Sequence, residues 1–273
     1  MTGQALVLGG GGVAGIAWMT GLLAGLADAG KDVTNADLVV GTSAGSTVAA
    51  QLGSGLSLDE LYARQVDPAL RSKEIDPGVD METYGAHLAA AIEAASSEVD
   101  ARRRVGALAL AARTVPEADR LAVVASRLPS HEWPSFRLRI VAVDAETGEP
   151  RVFDNDSGVP LVDAVAASCA VPGIWPTVSI DGRRYVDGGV RTIDNADLAA
   201  GFERVVILLP LGTQSLFPLG KPLDEVVADL YADVTVISPD EASAEAIGLN
   251  PLDPETRAPA AKAGRAQGRR RLG

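Results

Sequence analysis

Histidine, cysteine and aromatic residues are scarce in this chain of 273 residues. It contains two histidines, one cysteine (Cys169) and 4% aromatic residues. A single cysteine cannot form an internal disulfide, so the fold does not depend on an oxidising compartment and we expect a cytoplasmic protein. Two histidines also leave few candidates for a histidine general base.

Basic residues are outnumbered by acidic ones. The sequence has 24 Lys and Arg against 36 Asp and Glu, and this net charge of −12 argues against a nucleic-acid partner. Residues 1–256 hold 18 of the basic and all 36 of the acidic residues, which predicts an acidic body. The basic tail, residues 257–273, is expected to be helical at most or disordered, and either to lie in solvent or to contact an anionic membrane peripherally. Its six cations are Arg257, Lys262, Arg265, Arg269, Arg270 and Arg271.

Charge is absent from residues 2–27, but this stretch does not resemble a signal peptide or a membrane span. No basic residue precedes it, because the first cation is Lys31. Four consecutive glycines, residues 9–12, interrupt it, and each would cost about 1 kcal/mol relative to Ala inside a helix. We therefore interpret it as a strand, a turn and a helix.

Apolar runs and helix-forming stretches alternate near the start of the chain. Residues 5–8 and 36–40 are short apolar runs typical of buried strands, and helices are expected over residues 14–29 and 43–53. This order predicts an α/β fold with a parallel sheet. The composition of residues 57–128 predicts several helices, which form a cap or one flank of the domain. Later strands are expected at 136–145, 151–154, 184–187, 205–209 and 234–237.

A nucleophile-elbow pattern lies between the second predicted strand and the helix after it. Residues 41–45, Gly-Thr-Ser-Ala-Gly, match G-x-S-x-G with Ser43 at the centre. Gly41 and Gly45 would allow the sharp turn, and the helix N-terminus would offer N–H groups to an oxyanion. Alternatively, Gly and Ser serve only packing and N-capping here.

The glycine run after the first strand allows two interpretations. Gly10, Gly12 and Gly15 match the dinucleotide-binding fingerprint G-x-G-x-x-G, which would indicate a nucleotide-binding oxidoreductase. That site needs an acidic residue after the second strand, where this chain has the elbow instead. In the second interpretation, the glycine N–H groups bind the oxyanion formed at Ser43.

A carboxylate is a better candidate base for Ser43 than either histidine. His87 lies in an alanine-rich helical stretch and His131 in a polar turn. Only one strand precedes that of the elbow, unlike the usual α/β-hydrolase arrangement with a Ser-acid-His order. Asp187 follows an apolar segment and precedes Gly188 and Gly189, which let the backbone pass close to a nucleophile.

Four segments in this order resemble the patatin-like phospholipases: residues 10–15 (GGGVAG), 41–45 (GTSAG), 167–172 (ASCAVP) and 187–189 (DGG). The resemblance implies a three-layer α/β/α fold over residues 1–256, with a mostly parallel sheet and a helical cap. It further implies that Ser43 is the nucleophile and Asp187 the base of a dyad that hydrolyses acyl esters. The glycines it identifies are Gly10, Gly11 and Gly12 of the oxyanion loop, supported by Gly15, Gly41, Gly45, Gly188 and Gly189.

The resemblance predicts a lipid or another acyl ester as substrate, with no cofactor and no metal. The chain departs from the family pattern at two positions. Ala14 replaces a common Lys or Arg, and Ala196 replaces the Pro that often follows Asn195. Residues 167–172 also fit a helix end with Cys169 as an inert core thiol. A catalytically inactive module that binds a lipid or a protein partner is a further alternative.

Overall fold

The computed structural model describes residues 3–212 and 219–270 of the chain. These residues form eight strands: β1 Gln4–Leu8, β2 Leu38–Thr42, β3 Arg137–Asp144, β4 Pro150–Asp154, β5 Val178–Ile180, β6 Arg183–Asp187, β7 Arg204–Leu208 and β8 Asp233–Ile237. They also form ten α-helices: α1 Gly12–Asp28, α2 Ala44–Leu52, α3 Leu58–Val66, α4 Met81–Glu93, α5 Glu98–Ala111, α6 Glu117–Arg127, α7 Leu161–Ser168, α8 Leu223–Leu230, α9 Glu241–Ile247 and α10 Arg257–Arg270.

One mixed sheet contains all eight strands. Its order is β5-β6-β3-β2-β1-β7-β8, with β4 paired to β3. The pairs formed among β1, β2, β3, β7 and β8 are parallel, whereas β4 and β6 run antiparallel to β3. The expected α/β class with a mostly parallel sheet is confirmed.

Alternate residues of the central strands enter two different cores. In β1, Leu6 and Leu8 pack with α1, α2, α7 and α10, whereas Ala5 and Val7 face α8 on the other side. Strand β7 repeats this pattern, because successive side chains of a strand point to opposite faces. Helices therefore cover both faces of the sheet, as the three-layer α/β/α architecture requires.

Strands β2 and β6 meet end to end along one edge of β3. Strand β4 pairs with residues 139–143 of β3 and so occupies one edge. Strand β2 pairs with residues 137–141 and β6 with residues 142–144, and both overlap β4, so both must use the opposite edge. Thr42 pairs with Val141 and Asp187 with Ala142. This register brings the residue after Thr42 next to Asp187.

The basic C-terminal segment differs from the expected free tail. Residues 257–270 form α10, which packs closely along α1. The indole N–H of Trp18 donates to Gln267 Oε1 over 3.0 Å, and Ala260 and Ala261 are fully buried. Small residues allow this close approach, although their low hydrophobicity gave no sign of it. Arg271 and the two residues after it lie outside the described residues.

Strand β5 and helices α8 and α9 were not predicted from the sequence. Each is short, three to eight residues long, and gains its stability from the elements beside it. Within the described ranges, no helix is long and apolar enough to cross a membrane.

Candidate active site

Ser43 lies in a strained turn between β2 and α2. Its backbone has φ 52° and ψ −115°, a conformation that L-residues rarely adopt, and the residue is 7% exposed. The turn requires glycine at position 45, since a β-carbon there would collide with the Leu8 carbonyl of β1. Strand, turn and helix thus present Ser43 at the carboxyl edge of the sheet.

Residues at the end of α7 hold this turn in place. The Ser43 amide donates to Ser168 Oγ over 2.9 Å, and the Cys169 thiol donates to the Ser43 carbonyl over 3.1 Å. Burial raises the pKa of Cys169, which keeps the thiol protonated for this bond. The segment at residues 167–172 therefore supports the elbow, in addition to ending a helix.

Asp187 ends β6 and is 3% exposed. Its Oδ1 accepts the Gly189 amide over 2.8 Å, while its buried Oδ2 accepts no hydrogen bond from the described residues. Gly188 lies against the Val141 carbonyl, where a β-carbon would collide. The turn at 187–189 is therefore close-packed, and one carboxylate oxygen is left unpaired.

Burial raises the pKa of Asp187 to about 7. The hydrogen bond from Gly189, the nearby Ser43 hydroxyl and the charge of Arg120 each offset part of this rise. The Ser43 hydroxyl is thus close enough to favour the charged carboxylate, although Oδ2 lacks a hydrogen bond in regular geometry. Such contacts are often loose before substrate binds.

Asn195 connects the end of β2, just before Ser43, with the turn that follows Asp187 at the end of β6. It is fully buried with φ 53°, and its Nδ2 donates to Thr42 Oγ1 over 2.9 Å and to the Gly188 carbonyl over 3.3 Å. The Arg191 guanidinium donates to its Oδ1 over 2.7 Å. The sequence singled out Asn195 only as the residue before the departure at Ala196, and its bridging contacts appear only in the folded chain.

The glycine loop supplies two unpaired amides beside Ser43. The Gly10 amide donates to the Ile193 carbonyl over 2.9 Å, which corrects its assignment as a free oxyanion donor. Among the described residues, the amides of Gly11 and Gly12 find no acceptor, and the first amide of α2, at Ala44, finds none either. Gly12 has φ 61°, which favours glycine, and Ala14 is fully buried and contributes no cation.

One cleft joins these groups. It has a volume of about 50 Å³ and contacts the glycine loop, both Ser43 and Asp187, and Met81, the first residue of α4. Its remaining lining is mainly apolar: Val171, Gly189, Ile193, Leu211, Pro251 and Leu252. The structure therefore brings together the predicted Ser43, Asp187, Gly10, Gly11 and Gly12.

The two histidines lie elsewhere. Both are exposed, and His131 Nε2 lies 3.1 Å from the Ala125 carbonyl. Neither lines the cleft at Ser43. Over residues 3–212 and 219–270, no group of three or more His, Cys, Asp or Glu residues is placed to bind a metal ion.

Charged residues of the helical segment also reach the site, which sequence reasoning missed. Arg120 and Arg127 of α6 line a second, smaller cavity beside Ser43. Arg127 donates to Glu74 Oε1 over 2.9 Å, and Arg257 of α10 pairs with the same carboxylate. Arginines spread over 138 residues of sequence give no local pattern that predicts such a cluster.

Two solved structures resemble the chain. VipD from Legionella pneumophila is 14% identical with a TM-score of 0.47, and the match covers 97% of this chain and 65% of VipD. The type III effector protein ExoU is 13% identical with a TM-score of 0.37, and the match covers 98% of this chain and 53% of ExoU. The chain thus spans less than two thirds of either protein.

The family comparison is more informative. Residues 6–200 match the family model described as patatin-like phospholipase, which is more than half of the chain. The matched range includes all four segments that suggested the resemblance, as well as the cleft residues Ser43 and Asp187. The chain therefore belongs to the patatin-like phospholipase family, a family of lipid acyl hydrolases.

Proposed function

We propose that the protein hydrolyses carboxylic esters of fatty acids through a Ser43–Asp187 dyad and an acyl-enzyme. One observation carries the proposal: a single cleft contains a strained serine, a buried carboxylate with an unpaired oxygen, and unpaired backbone amides. These are the nucleophile, base and oxyanion donors that acyl transfer needs. No cofactor takes part in the proposed reaction.

In the proposed acylation step, Asp187 Oδ2 accepts the hydroxyl proton of Ser43 while Oγ attacks the ester carbonyl. The amides of Gly11, Gly12 and Ala44 stabilise the oxyanion of the tetrahedral intermediate. Collapse of this intermediate breaks the bond to the alcohol, which leaves with the proton held by Asp187. Ser43 then carries the acyl group as an ester.

In the deacylation step, Asp187 accepts a proton from water, and the resulting hydroxide attacks the acyl-enzyme. The tetrahedral intermediate collapses, Ser43 takes back its proton, and the fatty acid is released. A carboxylate of ordinary pKa is a weak base, but burial raises the pKa of Asp187 to about 7, which strengthens it. Both steps thus use the same carboxylate.

The lining of the cleft favours an apolar acyl chain. Met81, Val171, Ile193, Leu211 and Leu252 surround the space beside Ser43 and Asp187. Met81 begins α4 and brings the segment at residues 57–128 to the wall of the cleft. We therefore infer that the acyl chain lies against these side chains, with α4 positioned to cover it.

The test compares ester hydrolysis by the wild type and by three variants. With a short-chain nitrophenyl ester, we expect Ser43→Ala and Asp187→Asn each to lower kcat by about 10³-fold or more, since members of a catalytic unit act together. A double His87→Gln/His131→Gln variant is the control and should stay within about threefold. Activity that survives in Ser43→Ala, or is lost in the double-histidine variant, would contradict the dyad.

A further inference from the structure

Arg120 is a buried residue whose guanidinium has no hydrogen bond to any of the described residues. The residue is 5% exposed, and its Nε and Nη1 are inaccessible to solvent with no partner among the described residues. It lies flat over Trp175, with Cζ 3.8 Å from the ring centroid. Buried polar groups are normally hydrogen-bonded, so the three unpaired N–H donors on Nε and Nη1 require an explanation.

The charge of Arg120 is also poorly balanced. Its nearest carboxylate oxygen is Glu74 Oε2, 4.0 Å from Nη1. Arg127 and Arg257 already hydrogen-bond to Glu74, so three buried guanidinium groups share one carboxylate. Burial lowers the pKa of Arg120, as expected for a cation without full compensation. Asp187 is a second buried carboxylate whose charge acts on Arg120, so three buried guanidinium groups face two carboxylates.

Arg120 faces a cavity at the nucleophile. This second cavity contains Arg120, Arg127 and Trp175, and it shares Gly12, Ser43, Val171 and Leu252 with the cleft that holds Asp187. The two spaces therefore meet at Ser43. Both have mainly apolar walls, and the second differs from the first by its two cations, Arg120 and Arg127.

We propose that Arg120 binds an anionic group, a phosphate or a carboxylate, on the alcohol portion of the acyl ester and so makes the enzyme selective for anionic over neutral esters. This inference rests on the proposed function. The acyl chain lies on the Asp187 side of Ser43, and the leaving alcohol lies on the Arg120 side. The Trp175 ring packs against the guanidinium and orients it. The N–H groups of the guanidinium would then donate hydrogen bonds to the oxygens of the anion.

The size of the second cavity limits how the anion binds. Its volume is about 20 Å³, room for one or two oxygen atoms. The anion therefore reaches Arg120 with its leading oxygens, while the rest of the alcohol portion extends toward the mouth of the cleft. Removing Arg120 should not unfold the protein, because Glu74 keeps its bonds to Arg127 and Arg257.

The test uses two monomeric substrates with the same acyl chain, 1-octanoylglycerol 3-phosphate and 1-octanoylglycerol. Both are assayed at about pH 8.5, above the Asp187 pKa of about 7 in the wild type. We expect the wild type to prefer the phosphate ester at least about tenfold in kcat/KM. Arg120→Gln should raise KM for the phosphate ester about 10- to 100-fold and leave the neutral ester within about threefold.

Two further variants make the result specific. Arg120→Lys keeps the charge and should retain part of the preference, whereas Arg102→Gln should change neither substrate. Arg102 is a matched control because it is also a buried arginine, 8% exposed, but it donates to the Gly148 carbonyl away from Ser43. An equal effect of Arg120→Gln on both esters, or no effect on either, would overturn the inference.

A binding measurement separates failure of this inference from failure of the proposed function. In Ser43→Ala, which cannot react, calorimetry should show that the phosphate ester binds at least about tenfold more tightly than after the added Arg120→Gln change. If the wild type hydrolyses neither ester but this difference persists, the proposed function fails and the anion site stands. Inorganic phosphate that binds as tightly as the phosphate ester would overturn the role in substrate selection.

Discussion

Asp187 combines deep burial with an unpaired carboxylate oxygen, and both properties affect the pH dependence of the reaction. The proposed mechanism needs the ionised form, and burial raises the pKa of this carboxyl to about 7. For a neutral ester we expect log kcat/KM to rise with a slope near one up to about pH 7 and then to level off. A steady-state pH profile measures this, and a plateau extending down to about pH 5 would contradict the assignment.

The same carboxylate should make the folded protein less stable as pH rises. Because the pKa of Asp187 is raised in the folded state, folding is penalised as pH increases from about 4 to 7, and the penalty is constant above that range. Asp187→Asn removes the charge and should stabilise the protein by up to about 4 kcal/mol at pH 8, but hardly at pH 4. Urea unfolding at the two pH values tests this, and the opposite pH trend would count against it.

At the residue level, sequence motifs single out Ser43 and Asp187, but the residues that surround these two side chains come from distant segments of the chain. Asn195 bridges the turns at 42 and 188, and Arg120 reaches the site from the helical segment. Whether the Gly10 amide is free depends on Ile193, far along the chain. Such pairings are set by tertiary packing, so a single sequence does not contain a local signal for them.

At the level of elements, the contact between α1 and α10 depends on glycine. A β-carbon at Gly264 would collide with the Trp18 carbonyl, and one at Gly21 with the Ala261 carbonyl. The two backbones therefore approach closely where side chains are missing.

Gly264→Ala should accordingly destabilise the fold by about 1–3 kcal/mol, because α10 must move away from α1. Gly85→Ala is the matched control: Gly85 lies within α4 with open space around its Cα, and the change should stabilise by about 0.5–1 kcal/mol. Denaturant unfolding of both variants measures the difference. Equal effects would mean that the close helix contact does not limit stability.

The elements that could be predicted are those with strong apolar periodicity. Strands β1, β2 and β7 are continuous apolar runs buried on both faces, and the turns beside them carry glycine. Helix α10 has no such pattern, since its buried residues are two alanines, two glycines, Arg257 and Gln267. Helix formation in this segment was therefore expected only as an alternative to disorder, and its packing against α1 was not predicted.

At the level of the whole molecule, the basic C-terminal segment neutralises part of the acidic body. Arg265 pairs with Asp28 and Asp59, Arg269 pairs with Asp28, and Arg270 pairs with Asp240. These cations therefore have protein partners, whereas the sequence had suggested a free tail for solvent or a membrane. Their role in the structure is to attach α10 to the body.

Deletion of residues 257–273 should therefore lower stability sharply. It would expose the apolar surface of α1, including fully buried Trp18, and would remove the Arg257 partner of Glu74. We expect a loss of cooperative thermal unfolding or a drop in Tm of more than about 10 °C. A drop of this size corresponds to a decrease of several kcal/mol in the free energy of unfolding. An unchanged Tm would show that α10 contributes little to the fold.

The central claim, that Ser43 is an activated nucleophile served by Asp187, is tested most directly by a fluorophosphonate reagent with the adduct mapped by mass spectrometry. The account predicts a single adduct on Ser43 that is absent in Ser43→Ala and forms at least about tenfold more slowly in Asp187→Asn. The double-histidine variant should be labelled at the wild-type rate. No adduct on Ser43, or labelling that depends on His87 or His131, would contradict it.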